Sequence, residues 1–168
     1  IAYSITAARD SGVFDRIIVS TESDEIAAIA KRYAAEVPFL RPKELADDST
    51  ATAPVILHAL HELERNDQPI KHACCIYATA PMIDSNTIRE SHQKFQKTGC
   101  PAVIAVTTFD YPVLRALEMG EENRLKMTWP EHELTRSQDL PEAFHDAGQF
   151  YWLHVDRFRA SGRLLMDG

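Results

Sequence analysis

The chain of 168 residues has the length of one domain, and with 45% apolar and 26% charged residues it can enclose a single core. A formal net charge of −7 excludes nonspecific nucleic-acid binding, which needs a basic surface, and no apolar run is long enough to span a membrane. Cys74, Cys75 and Cys100 show neither metal-ligand nor disulfide spacing, so they read as buried or free thiols and make a cytoplasmic address the expectation.

Ile1, Ile5 and Ala8 share one face of a first helix ending near Gly12. The chain opens inside this pattern, without Met or a signal peptide, and so reads as a piece of a longer protein. Residues 16–20 predict a short buried strand. Thr21 with Asp24 resembles a capping box, and Ile26, Ile29, Ala30 and Tyr33 mark the stripe of a second helix. Residues 37–40 are extended about Pro38. A polar loop, 41–52, leads to a third helix carrying Ile56, Ala59, Leu60 and Leu63.

Residues 72–78 predict a central strand, closed by Ala80-Pro81, and Asp84 or Ser85 caps a fourth helix to about Lys97. Residues 102–106 are a nearly continuous apolar strand. From Thr107 to Pro141 the pattern loosens into short antiparallel strands, 114–117 and 125–129, as an insertion off the main sheet. A strand from Gly148 to Val155 and a helix from Asp156 to Arg163 close the pattern. Alternating helices and short apolar strands predict an α/β sheet layered with helices, with ligands at the loops after Val19, Tyr77 and Val106.

Three runs carry candidate chemistry. The first is Arg41-Pro42-Lys43-Glu44-Leu45-Ala46-Asp47-Asp48, followed by Thr50 and Thr52. It sets a guanidinium and hydroxyls before a helix N-terminus, and reads either as an anion-binding loop or as a solvated loop with a threonine cap. The second, Tyr77-Ala78-Thr79-Ala80-Pro81, follows a strand end and by itself reads as a structural turn. The third runs from Thr135 to Trp152, with His145, Asp146, Gln149 and Tyr151 crowding the approach to a strand. Strand alternation places Gln149 and Tyr151 on one side. Adjacent residues rarely point together, so His145 and Asp146 read as a polar binding edge rather than a catalytic dyad. Arg136 suits either an anionic substrate or a dimer salt bridge. His58 and His61 lack the second zincin histidine and read as a solvated helical face.

In this order the three runs resemble the pseudaminic acid branch of the CMP-sialic acid synthetase-like cytidylyltransferases. The resemblance implies a Rossmann-like nucleotide-diphospho-sugar transferase fold over 1–168, a mostly parallel sheet flanked by helices, with 107–141 as a small antiparallel dimerisation insertion and a homodimer. It implies nucleotide contacts from Arg41, Thr50, Thr52 and Thr79, and sugar contacts from Tyr77, His145, Asp146, Gln149 and Tyr151. The implied reaction joins CTP to a nonulosonic acid, pseudaminic acid first, giving a CMP-sugar and pyrophosphate for bacterial surface glycan or flagellin glycosylation. Tyr77 stands where sialic acid relatives carry glutamine, which argues for a different sugar.

The resemblance also implies Mg²⁺, with its Asp-rich motif beyond Gly168 and the basic glycine-rich phosphate loop upstream of Ile1. No general base is assignable. Two other readings remain at this point: a CMP-N-acetylneuraminate or related nonulosonate synthetase, and a noncatalytic binding or dimerisation fragment.

Overall fold

The computed structural model describes residues 1–65 and 69–166. In chain order it contains α1 (Ala2–Ser11), α2 (Asp24–Arg32), α3 (Thr52–Glu64), β1 (His72–Ile76), α4 (Ser85–Thr98), β2 (Ala102–Thr108), β3 (Leu117–Met119), β4 (Leu125–Met127), β5 (Phe144–His154) and α5 (Val155–Ser161). Two compact units divide the chain: Ile1–Ile104 with Gly148–Gly168, and Ala105–Ala147.

In the first unit, α1 buries Ser4, Ile5, Ala7, Ala8 and Ser11, and ends at Gly12 as its periodicity predicts. Its last carbonyls are satisfied from a distance. Arg89 of α4 donates from Nε to the Ser11 carbonyl at 3.3 Å and from Nη2 to the Asp10 carbonyl at 3.2 Å, meeting the acceptors a helix end leaves open.

Helix α2 is capped by Ser23, not by Thr21 with Asp24. The Ser23 hydroxyl accepts the Ile26 N–H at 3.3 Å, three residues on, and Thr21 instead accepts the Ser23 N–H at 3.2 Å. The buried face is Ala27 and Ala30, while Ile26 is 38% and Tyr33 41% exposed. Tyr33 lies at the C-cap, where helical phase no longer directs it inward. Asp84 caps α4, accepting the Asn86 and Thr87 N–H groups.

The expected strand at 16–20 is reduced to a parallel bridge between Ile18 and Glu36, with Val19 N–H bonded to the Glu36 carbonyl and Glu36 N–H to that of Ile17. The main described sheet has the order β1-β5-β2, so β5 rather than β1 is central. β1 pairs antiparallel with β5, His72 opposite His154 and Ile76 opposite Phe150. The expectation of a mostly parallel sheet fails there. Helix crossovers produce parallel neighbours, but β5 arrives from the excursion at 105–147 and enters between β1 and β2 in the opposite sense to β1.

β5 also begins at Phe144, four residues before Gly148. Both faces of its second half are covered, which explains the unbroken apolar run. Tyr151 and Leu153 join Ile56, Leu60, Val155 and Phe158 on one side. On the other, Trp152 stacks on Phe14 with centroids 5.2 Å apart and lies 5.8 Å from Phe95.

The second unit contains the β3–β4 ribbon, antiparallel with Leu117 opposite Met127 and Met119 opposite Leu125. The first strand falls later than the sequence predicts because Pro112 opens a short 3-10 turn over Val113–Arg115. Leu117, Met119 and Leu125 are all more than half exposed. On the other face Glu118 pairs with Lys126 at 3.0 Å.

Candidate functional site

Tyr77 follows β1 directly, and each of its polar groups is engaged within the first unit. Its N–H donates to the Gln149 carbonyl at 2.9 Å, extending the pairing with β5. Its carbonyl accepts the Ser4 hydroxyl at 2.9 Å and the Ala80 N–H at 3.2 Å. Its hydroxyl lies 2.8 Å from Thr52 Oγ1 at the start of α3. The ring stands 5.5 Å from that of Tyr151. Four of the residues singled out from the sequence, Thr52, Tyr77, Gln149 and Tyr151, therefore meet at one end of β1. Gln149 lies two positions before Tyr151 on β5, with a half-exposed side chain. Thr79 is exposed in the turn after Tyr77.

Arg41 takes its place from the loop after the Ile18 bridge. Its N–H donates to the Thr21 carbonyl at 2.8 Å, and Nη2 reaches Glu22 Oε2 at 2.6 Å. That hydrogen bond, with one from its own backbone, lowers the Glu22 pKa. Arg41 Nε is enclosed with no partner among the described residues, so the guanidinium keeps one donor in hand while Glu22 balances its charge.

Asp47 organises the following loop, accepting both the N–H and the hydroxyl of Ser49 and of Thr50 at 2.7–2.9 Å. The two hydroxyls first, then the two N–H groups, lower its pKa. Thr50 thus faces inward to Asp47 and presents acceptor lone pairs rather than a proton.

His145 and Asp146 belong to the second unit. His145 lies 4.8 Å from Phe109, and its Nδ1 is 3.0 Å from the Asp146 backbone carbonyl. Arg136 pairs with Asp139 at 2.6 Å and is well exposed. His61 is exposed beside Glu62. His58 departs from the solvated reading: it is half-buried against Phe39, and its Nδ1 is enclosed without a partner among the described residues. Phe39 covers that part of α3.

Among the described residues no three His, Cys, Asp or Glu side chains gather as metal ligands. These residues do not fit a magnesium cradle. A surface cleft of about 550 Å³, lined by Tyr3, Asp10, Tyr33 and Asp84 among others, contains none of the expected site residues.

Sequence reasoning missed Ser4, Glu22 and Asp47. Ser4 was signalled by a hydroxyl on an apolar helix face beside Ile5 and Ala8. Glu22 was signalled by its place in the loop beyond Val19. Asp47 was signalled by its spacing to Ser49 and Thr50, that of an Asx turn.

The cytidylyltransferase family model matches residues 1–165. The chain belongs to the cytidylyltransferase family. A pseudaminic acid cytidylyltransferase of Campylobacter jejuni is 40% identical over 162 residues, covering 93% of this chain and 70% of the relative. An N-acylneuraminate cytidylyltransferase of Escherichia coli is 34% identical over 123 residues, covering 70% of this chain and 28% of the relative.

The solved structure of a CMP:2-keto-3-deoxy-manno-octonic acid synthetase complexed with CTP matches with a TM-score of 0.65 at 11% identity, covering 99% of this chain and 68% of that one. This likeness supports the α/β fold alone. Membership of the cytidylyltransferase family makes the chain's class CTP-dependent nucleotidyl transfer, ahead of the noncatalytic reading. None of the described helices is long and apolar enough to cross a membrane.

Proposed function

We propose that this cytidylyltransferase activates a nonulosonic acid, pseudaminic acid before others, with CTP. The observation that carries the reading is 40% identity over 93% of the chain to a relative named for that reaction. Tyr77 supports it locally. A tyrosine bonded to Thr52 builds a different sugar wall from the glutamine of the sialic acid relatives.

The anomeric C2 hydroxyl attacks the α-phosphorus of CTP. As the new O–P bond forms, the bond to the pyrophosphate oxygen breaks and the hydroxyl proton leaves to a base this chain does not identify. Arg41, Thr50, Thr52 and Thr79 are the proposed nucleotide side. Tyr77, Gln149 and Tyr151 are the proposed sugar side within the first unit; His145 and Asp146 are proposed as sugar contacts on the family resemblance alone. Magnesium, when bound, would offset phosphate charge. The residues of this chain bind and orient, which supplies much of the rate in phosphoryl-type transfer. CTP supply and free thiols suit a cytoplasmic setting.

The exposed apolar face of Leu117, Met119 and Leu125 supports a homodimer joined through the ribbon at 107–141. A two-stranded ribbon is marginal alone, and contiguous exposed apolar surface marks an interaction site.

The test is magnesium-dependent pyrophosphate release from CTP by the whole protein, with pseudaminic acid and N-acetylneuraminic acid offered separately. Release with pseudaminic acid alone is expected. Preference for N-acetylneuraminic acid would move the assignment to the sialic branch, and release with neither would reject both.

A further inference from the structure

We propose that Ser4 is a positioning residue for the sugar side of the site, acting through Tyr77; this rests on the reading of Tyr77 as a sugar-facing residue. Ser4 is only 6% exposed on the packed face of α1, where an unpartnered hydroxyl would be costly. A helical serine commonly bonds back to a carbonyl of its own helix, as Ser11 does to Ala8 at 2.6 Å. The Ser4 bond instead leaves the helix and crosses 73 residues of sequence to the Tyr77 carbonyl.

That carbonyl is the acceptor that closes the turn carrying Thr79, through the Ala80 N–H. The Tyr77 side chain is fixed separately by Thr52 and its N–H by Gln149. Ser4 therefore supplies a second bond on the one side of Tyr77 that would otherwise be held by a single turn bond at 3.2 Å. Without it the peptide plane after Tyr77 is free to tilt, loosening the turn and the backbone support beneath the ring, which then rests on the Thr52 and Gln149 bonds alone. CTP contacts through Arg41 and Thr50 stand on other anchors, Thr21, Glu22 and Asp47, and are left in place.

The experiment compares Ser4→Ala and Ser11→Ala with the unmodified whole protein. It measures KM for the nonulosonic acid and for CTP, and hydrogen exchange of the Ala80 amide and of the Ile83 amide, which continues the turn by donating to the Ala80 carbonyl at 3.3 Å. Ser4→Ala is expected to raise the sugar KM by about tenfold, the scale of one buried hydrogen bond. The CTP KM rises by less, since of the proposed nucleotide contacts Arg41 and Thr50 keep their own anchors while Thr79 rides on this turn, and exchange at the two amides quickens. Ser11→Ala, which loses an equally buried hydroxyl, shows neither effect.

Equal rises in both KM values, unaltered exchange, or the same pattern in Ser11→Ala would overturn the proposal. Where the alanine variant does not fold, Ser4→Cys, of similar shape with a weak S–H donor, is read by the same outcomes. If the unmodified protein turns over no nonulosonic acid, the functional reading and its sugar-side role for Ser4 fall together, while the exchange data still report whether Ser4 anchors the turn.

Discussion

Between Thr52 and Tyr77, each hydroxyl is the other's partner in a half-buried place. Removing one strands the other. Thr52→Val and Tyr77→Phe should each cost about 1 kcal/mol in chemical denaturation, and the double variant less than their sum; strict additivity would show that the bond contributes nothing. Cys74 and Cys75 have a different fate. Burial pushes the Cys75 thiol up to about 11, and burial, reinforced by Cys75, raises that of Cys74 well above the ordinary value. Both stay protonated at neutral pH and should resist a thiol-alkylating reagent until the protein unfolds, as peptide mapping would record. In alkali the unfolded thiols ionise first, so their contribution to stability declines as pH rises through the ordinary thiol value of 9.0 toward 11.

At the scale of elements, Glu64 at the end of α3 accepts Arg159 of α5 and the Ile70 N–H, and the Arg159 bond, then that N–H, lowers its pKa. A depressed carboxyl stabilises the fold above its unfolded value of 4.5 and loses that effect as pH falls through the folded value. Glu64→Gln should therefore weaken the protein at pH 7, by about 0.5–1 kcal/mol for so partly exposed a pair, and the gap should close in acid. A gap independent of pH would count against the ion pair.

Ala34, at the turn after α2, has φ 66°, a left-handed conformation that costs an L-residue about 1 kcal/mol. Ala34→Gly should raise stability by up to about that amount, measured as a shifted denaturation midpoint; no shift would show that the turn is unstrained.

The helices and the apolar strands β1 and β2 were legible in the sequence because periodicity reports which face is covered. Strand partners were not legible. The two-sided apolar run of β5 reads the same in a parallel or an antiparallel neighbourhood, so the pattern at Phe150–Leu153 could not show its entry between β1 and β2. At the site, residue types marked Thr52 and Tyr77, but their mutual bond depends on how α3 and β1 pack. The hydroxyl of Ser4 on an apolar stripe was a signal in the sequence, but its acceptor, the Tyr77 carbonyl, is set by packing across 73 residues and was not legible.

For the whole molecule, the proposed dimer makes the ribbon decisive. Replacing Leu117 and Met119 together by Glu should leave far-ultraviolet dichroism unchanged and halve the mass found by light scattering. A mass equal to one chain before the substitutions would reject the dimer.

Arg89 gives the fold a timetable. The carbonyls of Asp10 and Ser11 wait for a guanidinium 79 and 78 residues farther along. At a synthesis rate of about 5–20 residues per second, α1 spends roughly 4–16 seconds on the ribosome with these two carbonyls lacking their Arg89 partner. Its apolar face is then without α4, and α1 is secured on that side only once α4 is made. A nascent chain stalled before residue 89 should leave α1 accessible to a chaperone, and one released beyond α4 should not.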